Sequence, residues 1–299
     1  MLSLHTNSAA LSAQNSISRT QTSLSTSQTR LSTGFRINSA MDDAAGLQIA
    51  TRLKAQTSGM SVAMRNTQNS ISMMQTAEGA LDETTNILIR MKDLATQAAD
   101  GSSNDTDKTA MQAEFDALTK ELTNIVGNTA FGGQKLLNTT DAASKTGTFM
   151  AAAGTGVDFQ IGSSTSEKMN VDINAQLTTM HASMLAAASG YKSTGDAAAV
   201  TGTELTATAG ATIDLLKTAI DDVATVRSAL GAASNRLDHV YNNLANVSTN
   251  TKAATGRIMD TDFATESSNM TSSQMLLQAG TAMLKQSNST SSLVMSLLQ

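Results

Sequence analysis

MLSLHTNSAALSAQNSISRTQTSLSTSQTRLSTGFRIN, residues 1–38, has the period of a helix and too little apolar surface to hold one alone. Leu4, Leu11, Ile17, Leu24 and Leu31 recur at steps of seven, six, seven and seven, a coiled-coil spacing with one slip at Ile17. The positions that would complete the seam, Asn7, Gln14, Gln21 and Gln28, are all polar, so each heptad carries one apolar rung where a dimer needs two. Such a half seam cannot offset the entropy of ordering the stretch, and its Ser/Thr/Asn filling adds little helix propensity. The segment is therefore expected to be disordered until it meets a partner.

The other end of the chain offers one. Phe263, Met270, Leu277, Leu284 and Leu298 share a single seven-residue ladder, interrupted only at Ser291. The first 41 residues carry Arg19, Arg30 and Arg36 and no acid, whereas the last 40 carry Asp260, Asp262 and Glu266 against Lys285. Opposite charge and matching period predict that the two termini pair.

Between these ladders lie two long helical patterns. Gly34 interrupts the first ladder, and Asn38 and Ser39 offer caps for a helix running from Asp42 to about Asp100-Gly101. Its apolar residues, Leu53, Met60, Met64, Ile71, Met74, Leu81, Leu88 and Met91, are spaced by three, four or seven. A shorter helix follows from Thr106 to Val126, ended by Gly127-Asn128. Glycines then crowd the middle of the chain, where residues 157–161 and 169–173 alternate apolar and polar around a polar loop and read as a β-hairpin. Residues 176–211, rich in Ala, Thr and Gly, read as a short surface insertion, partly helical around 180–188. From Thr212 the heptads return as Leu216, Val223, Leu230, Leu237 and Leu244, up to a second hinge at residues 256–262.

The expected fold class is mainly α: a long antiparallel coiled-coil bundle built from both ends of the chain, with a small hairpin and loops in the centre. Three parts are expected. Residues 1–41 and 257–299 form a terminal coiled-coil domain, residues 42–175 and 212–256 a helical core with its hairpin near 157–173, and residues 176–211 the tip.

Composition excludes several functions. A net charge of -5 and the lack of any basic patch with interleaved aromatics argue against nucleic acid. No run approaches the ~20 apolar residues of a membrane span, and no apolar secretory leader is visible. With no cysteine there is no disulfide, thiol nucleophile or thiolate metal site. His5, His181 and His239 are far apart in sequence, and no H-E-x-x-H occurs, so neither catalysis, a cofactor nor a metal centre is expected.

Long motifs point elsewhere. Residues 30–53, RLSTGFRINSAMDDAAGLQIATRL, resemble the N-terminal signature of bacterial flagellin, the subunit of the flagellar filament. Residues 234–246 (SNRLDHVYNNLAN), 257–270 (RIMDTDFATESSNM), Gln278-Ala279-Gly280-Thr281 and Ser296-Leu297-Leu298 resemble its C-terminal half. The likeness covers about residues 1–138 and 212–299 and is similar to short flagellins, including those of lateral flagella. It implies a self-polymerising extracellular protein of swimming or swarming motility, exported unfolded through the flagellar type III channel and folded on assembly. The implied partners are an export chaperone, a cap protein, a hook-associated junction protein and further copies of the chain. It also implies a candidate patch for the host innate receptor TLR5 at Arg90, Leu94 and Glu114, on a surface that faces a neighbouring subunit in family filaments. A second immune motif resembles residues 294–298, with Met295 in place of the usual leucine. The alternatives are a hook–filament junction protein and a secreted amphipathic binding protein.

Overall fold

The computed structural model describes residues 7–138, 149, 156–195 and 201–297. Leu4 and Leu298 lie outside them, as do the side chains of the 294–298 motif. In chain order the elements are α1 (Ser8–Thr33), α2 (Ala44–Ala99), α3 (Asp105–Asn128), β1 (Ala130–Phe131), β2 (Gln134–Lys135), β3 (Val157–Gln160), β4 (Lys168–Val171), α4 (Asn174–Ala187), α5 (Glu204–Ala207), α6 (Ala209–Met259) and α7 (Phe263–Leu297). Long helices dominate, as the heptads predict.

The chain folds as two units, one made of the residues up to Thr57 with those from Thr249 onward, the other of Ser58–Ser248. In the first, α1 is a helix despite its Ser/Thr content, with Thr20, Thr22, Ser23, Thr26, Thr29 and Thr33 each donating a hydroxyl to the carbonyl four residues back. These side chains therefore do not compete for the backbone N–H groups. Asn7 caps the start by accepting from Ala10 N at 3.1 Å, and Gly34, at φ +75°, ends the helix with its N–H on Arg30 O.

The terminal pairing that the ladders predict is present. Asn7 Nδ2 donates to Ser287 O at 3.3 Å, Gly280 packs against Ile17, and Arg30 Nη1 lies 3.7 Å from Glu266 Oε2. As one helix advances the other recedes, so α1 and α7 run antiparallel. The two hinges are stitched together as well. Arg36 N donates to Met259 O at 2.6 Å, Thr261 N donates to Gly34 O at 3.0 Å, and Phe35 bridges Asp260.

Two hinge details differ from expectation. Asn38 and Ser39 do not cap α2; both donate their N–H groups to Asp42 Oδ2, at 3.0 and 2.9 Å, and Asp43 caps the first turn by accepting from Gly46 N at 2.8 Å. An ionised carboxylate next to the free N–H groups wins over a neutral side chain further out. The second hinge is also shorter than residues 256–262, because α6 continues through Gly256 to Met259.

In the second unit the predicted apolar rows meet. Met74, Leu81, Leu88 and Met91 of α2, Phe115 and Leu122 of α3, and Leu216, Val223, Leu230 and Leu237 of α6 form one buried cluster. Arg227 reaches Asp82 at 3.0 Å across α6 and α2. The expected hairpin is antiparallel β3–β4, with Val157 opposite Val171. A second, two-residue hairpin, β1–β2, turns on Gly132 and Gly133, both at positive φ.

The segment expected to be a surface insertion is partly core. Leu177, Met180 and Met184 of α4 are fully buried, since their three- and four-residue spacing gives this Ala/Thr-rich helix one continuous apolar edge.

Candidate assembly surface

The terminal ladders are incompletely covered. Ile17, Leu24 and Leu31 on α1 and Met270, Leu277 and Leu284 on α7 are half-buried, while Leu11 and Phe263 are 51% and 57% exposed. Among the described residues of α1 and α7, only Ser27 and Glu266 are buried. A two-helix contact can cover only one side of each helix, so the rest of the apolar surface stays exposed.

Sequence reasoning missed part of that surface. Met275, Leu276 and Met283 of α7 are 59%, 62% and 70% exposed. Leu276 and Met283 are seven residues apart, each one place before a ladder leucine, so α7 carries two apolar rows side by side. That spacing was visible in the sequence. The polar flanks, Asn269 and Thr290, keep the second row too short to stand out. Charge supports the pair at one point, since Glu266 is 7% exposed and faces Arg30.

Arg90, Leu94 and Glu114 do not form a single surface patch. Arg90 Nε and Nη2 donate to Glu114 Oε1 at 2.9 and 2.6 Å, with both side chains exposed. Leu94 is 2% exposed. It falls on the α2 face of Ile87, Met91 and Ala98, which points into the core, and so is a packing residue.

His181 is buried on α4, its Nε2 is 2.9 Å from Leu137 O, and its Nδ1 is 2.6 Å from the Tyr191 hydroxyl. A carbonyl only accepts, so Nε2 carries the proton and Nδ1 accepts from Tyr191. Burial pushes His181 down to about 4 against the opposing pull of the Leu137 carbonyl, and burial raises Tyr191. With both nitrogens engaged, this histidine ties α4 to two loops. Among the described residues no three His, Asp or Glu side chains are grouped to hold a metal ion, and no helix is long and apolar enough to cross a membrane.

The comparisons with known proteins match both ends of the chain. Residues 4–142 match the bacterial flagellin N-terminal helical region, and residues 213–298 match the bacterial flagellin C-terminal helical region. Flagellin A of Vibrio anguillarum is 35% identical with all of both chains covered, and polar flagellin C of Vibrio parahaemolyticus serotype O3:K6 is 34% identical, again over all of both. The structure of a putative flagellar hook-associated protein from Vibrio parahaemolyticus covers 73% of this chain and all of its own, with a TM-score of 0.52 and 17% identity, which is a likeness of fold alone. Two terminal helical regions, paired through their ladders and matched over their whole length, make this chain a member of the bacterial flagellin family.

Proposed function

We propose that the chain is the structural subunit of an extracellular flagellar filament for motility, and that its α1–α7 pair completes its folding only between neighbouring copies. The observation that carries this is the apolar surface left open on the pair. Leu11, Phe263, Leu276 and Met283 are too exposed for a finished core and too regularly placed for a solvated face. Further copies of the chain supply the missing layer, in the way that a segment short of apolar surface orders on binding. Export in an unfolded state, escort by a chaperone, growth beneath a cap protein and joining to a hook-associated junction protein fit termini of this kind. The role is structural and needs no catalytic group.

The test is negative-stain electron microscopy of purified chain seeded with short filament fragments. Long tubes are expected. Short rings that stop growing would favour the junction-protein reading, and no growth at all would favour a secreted binding protein.

A second reading concerns host recognition. The exposed Arg90–Glu114 pair offers TLR5 a charged epitope on monomers, with Leu94 beneath it as support. Arg90→Ala is expected to lower receptor signalling in reporter cells several-fold, and an undiminished signal would remove the reading.

A further inference from the structure

The chain holds 17 methionines and neither cysteine nor tryptophan, so the thioether is its most easily oxidised side chain. An oxidant has to reach the sulfur, and burial divides these residues sharply. Met74, Met91, Met180 and Met184 are 1% exposed or less and belong to the buried cluster of the second unit. Among the described residues three methionines stand out in solvent: Met41 of the first hinge at 97%, and Met275 and Met283 of α7 at 59% and 70%.

Two of the three lie on the open face of the terminal pair. The ladder of α7 runs through Leu277 and Leu284, which are half-buried, and Gly280 between them packs against Ile17 of α1. Successive residues of a helix are turned by about 100°. Met283 therefore flanks Leu284 and continues the row of Leu276, while Met275 points away from the ladder altogether. Between them the two side chains occupy the sides of α7 that α1 leaves uncovered. Met41 lies in the hinge, off both ladders.

We propose that Met275 and Met283 are oxidation sites that control assembly: hydrogen peroxide converts them to sulfoxides in the monomer, and the oxidised chain adds poorly to a filament. This rests on the polymer-subunit reading above. The sulfur takes one oxygen from the peroxide; an S–O bond forms, the O–O bond breaks, and the second oxygen leaves as water with both hydrogens. The sulfur loses two electrons and the peroxide gains them. A sulfoxide oxygen is a strong acceptor, so an apolar layer from the next copy would bury it without a donor. In the free monomer water solvates the same oxygen, and the fold is undisturbed. The change is reversible, because methionine sulfoxide reductases return the thioether, releasing the oxygen as water while a dithiol closes to a disulfide.

The test is seeded elongation of the full chain after brief treatment with hydrogen peroxide, with the oxidised residues located by peptide mass spectrometry. Met41, Met275 and Met283 are expected to take up one oxygen each before Met74, Met91, Met180 and Met184 do. The treated chain should elongate about tenfold more slowly, with an unchanged thermal unfolding midpoint. Met275→Leu with Met283→Leu keeps size and apolarity, so that chain elongates like the parent and holds its rate after treatment, although its Met41 is oxidised. Met275→Gln with Met283→Gln places a polar group at both positions and is as slow without oxidant as the oxidised parent. Methionine sulfoxide reductases for both epimers, with dithiothreitol, restore the rate of the treated parent. The inference is overturned if the oxidised parent elongates like the untreated one, if the double leucine chain is slowed by peroxide as much as the parent, or if the reductases leave the rate low. Failure of the untreated parent to elongate would remove the subunit reading itself and this control with it.

Discussion

A chain beginning at Gly34 grows no filaments from seeds under conditions where the full chain grows long tubes. Removing residues 1–33 takes away the helix against which α7 packs, so Leu277 and Leu284 lose their cover and Glu266 loses Arg30. Any apolar layer between copies is then built on α7 alone, whose polar stretches cannot sustain an isolated helix. The second unit should not notice. Its buried cluster begins at Met74 and ends at Leu237, so no residue of α1 or α7 belongs to it. The expected pattern is loss of polymer with an unchanged thermal unfolding midpoint for Ser58–Ser248. A truncated chain that still forms tubes would show the terminal pair to be dispensable.

Lowering the pH from 7 to 4.5 destabilises the second unit by a large part of about 3 kcal/mol through His181 alone. The folded histidine titrates near 4, against 6.5 for an unhindered one, chiefly because burial disfavours its charged form. Between those values the unfolded chain binds the extra proton and the folded chain does not, so stability is full above about 6.5 and falls as pH drops toward 4. Glu204 acts in the same direction but lower. Burial raises its carboxyl, yet the hydrogen bonds from Ser189 and Gln112 outweigh that and hold it below the usual 4.5. Its contribution is present above that value and fades only beneath it. Urea unfolding at pH 7, 6, 5 and 4.5 measures the slope. In His181→Gln the slope over this window should largely vanish, while stability at pH 7 is lower for want of the Tyr191 and Leu137 bonds. An equal slope in both chains would show that other groups carry the pH dependence.

Long helices were legible in the sequence because their apolar residues repeat over many turns. Leu216 to Leu244 and Leu53 to Met91 need no tertiary information to be read, and the β3–β4 hairpin announced itself by alternation over two short runs. What escaped was short or ambiguous. The core face of α4 rests on Leu177, Met180 and Met184 in a helix whose other residues are mostly Ala, Thr and polar side chains. The β1–β2 turn depends on a single Gly132-Gly133 pair. The family resemblance implied a surface patch of Arg90, Leu94 and Glu114, yet a helix places residues one turn apart, such as Arg90 and Leu94, about 40° from each other, enough to put one outside and the other in the core. Of the assembly surface, the ladders were readable, whereas the Leu276–Met283 row, though spaced by seven in the sequence, was too short between Asn269 and Thr290 to stand out.

The most direct measurement is amide hydrogen exchange of α1 and α7 in the purified monomer and again in filaments, with the core of Ser58–Ser248 as internal reference. Fast exchange of both terminal helices is expected in the monomer and strong protection in the filament, while amides around Leu88, Leu122 and Leu230 are protected in both. Equal protection of α1 and α7 in monomer and filament would contradict it, because the terminal pair would then be a finished structure that owes nothing to its neighbours.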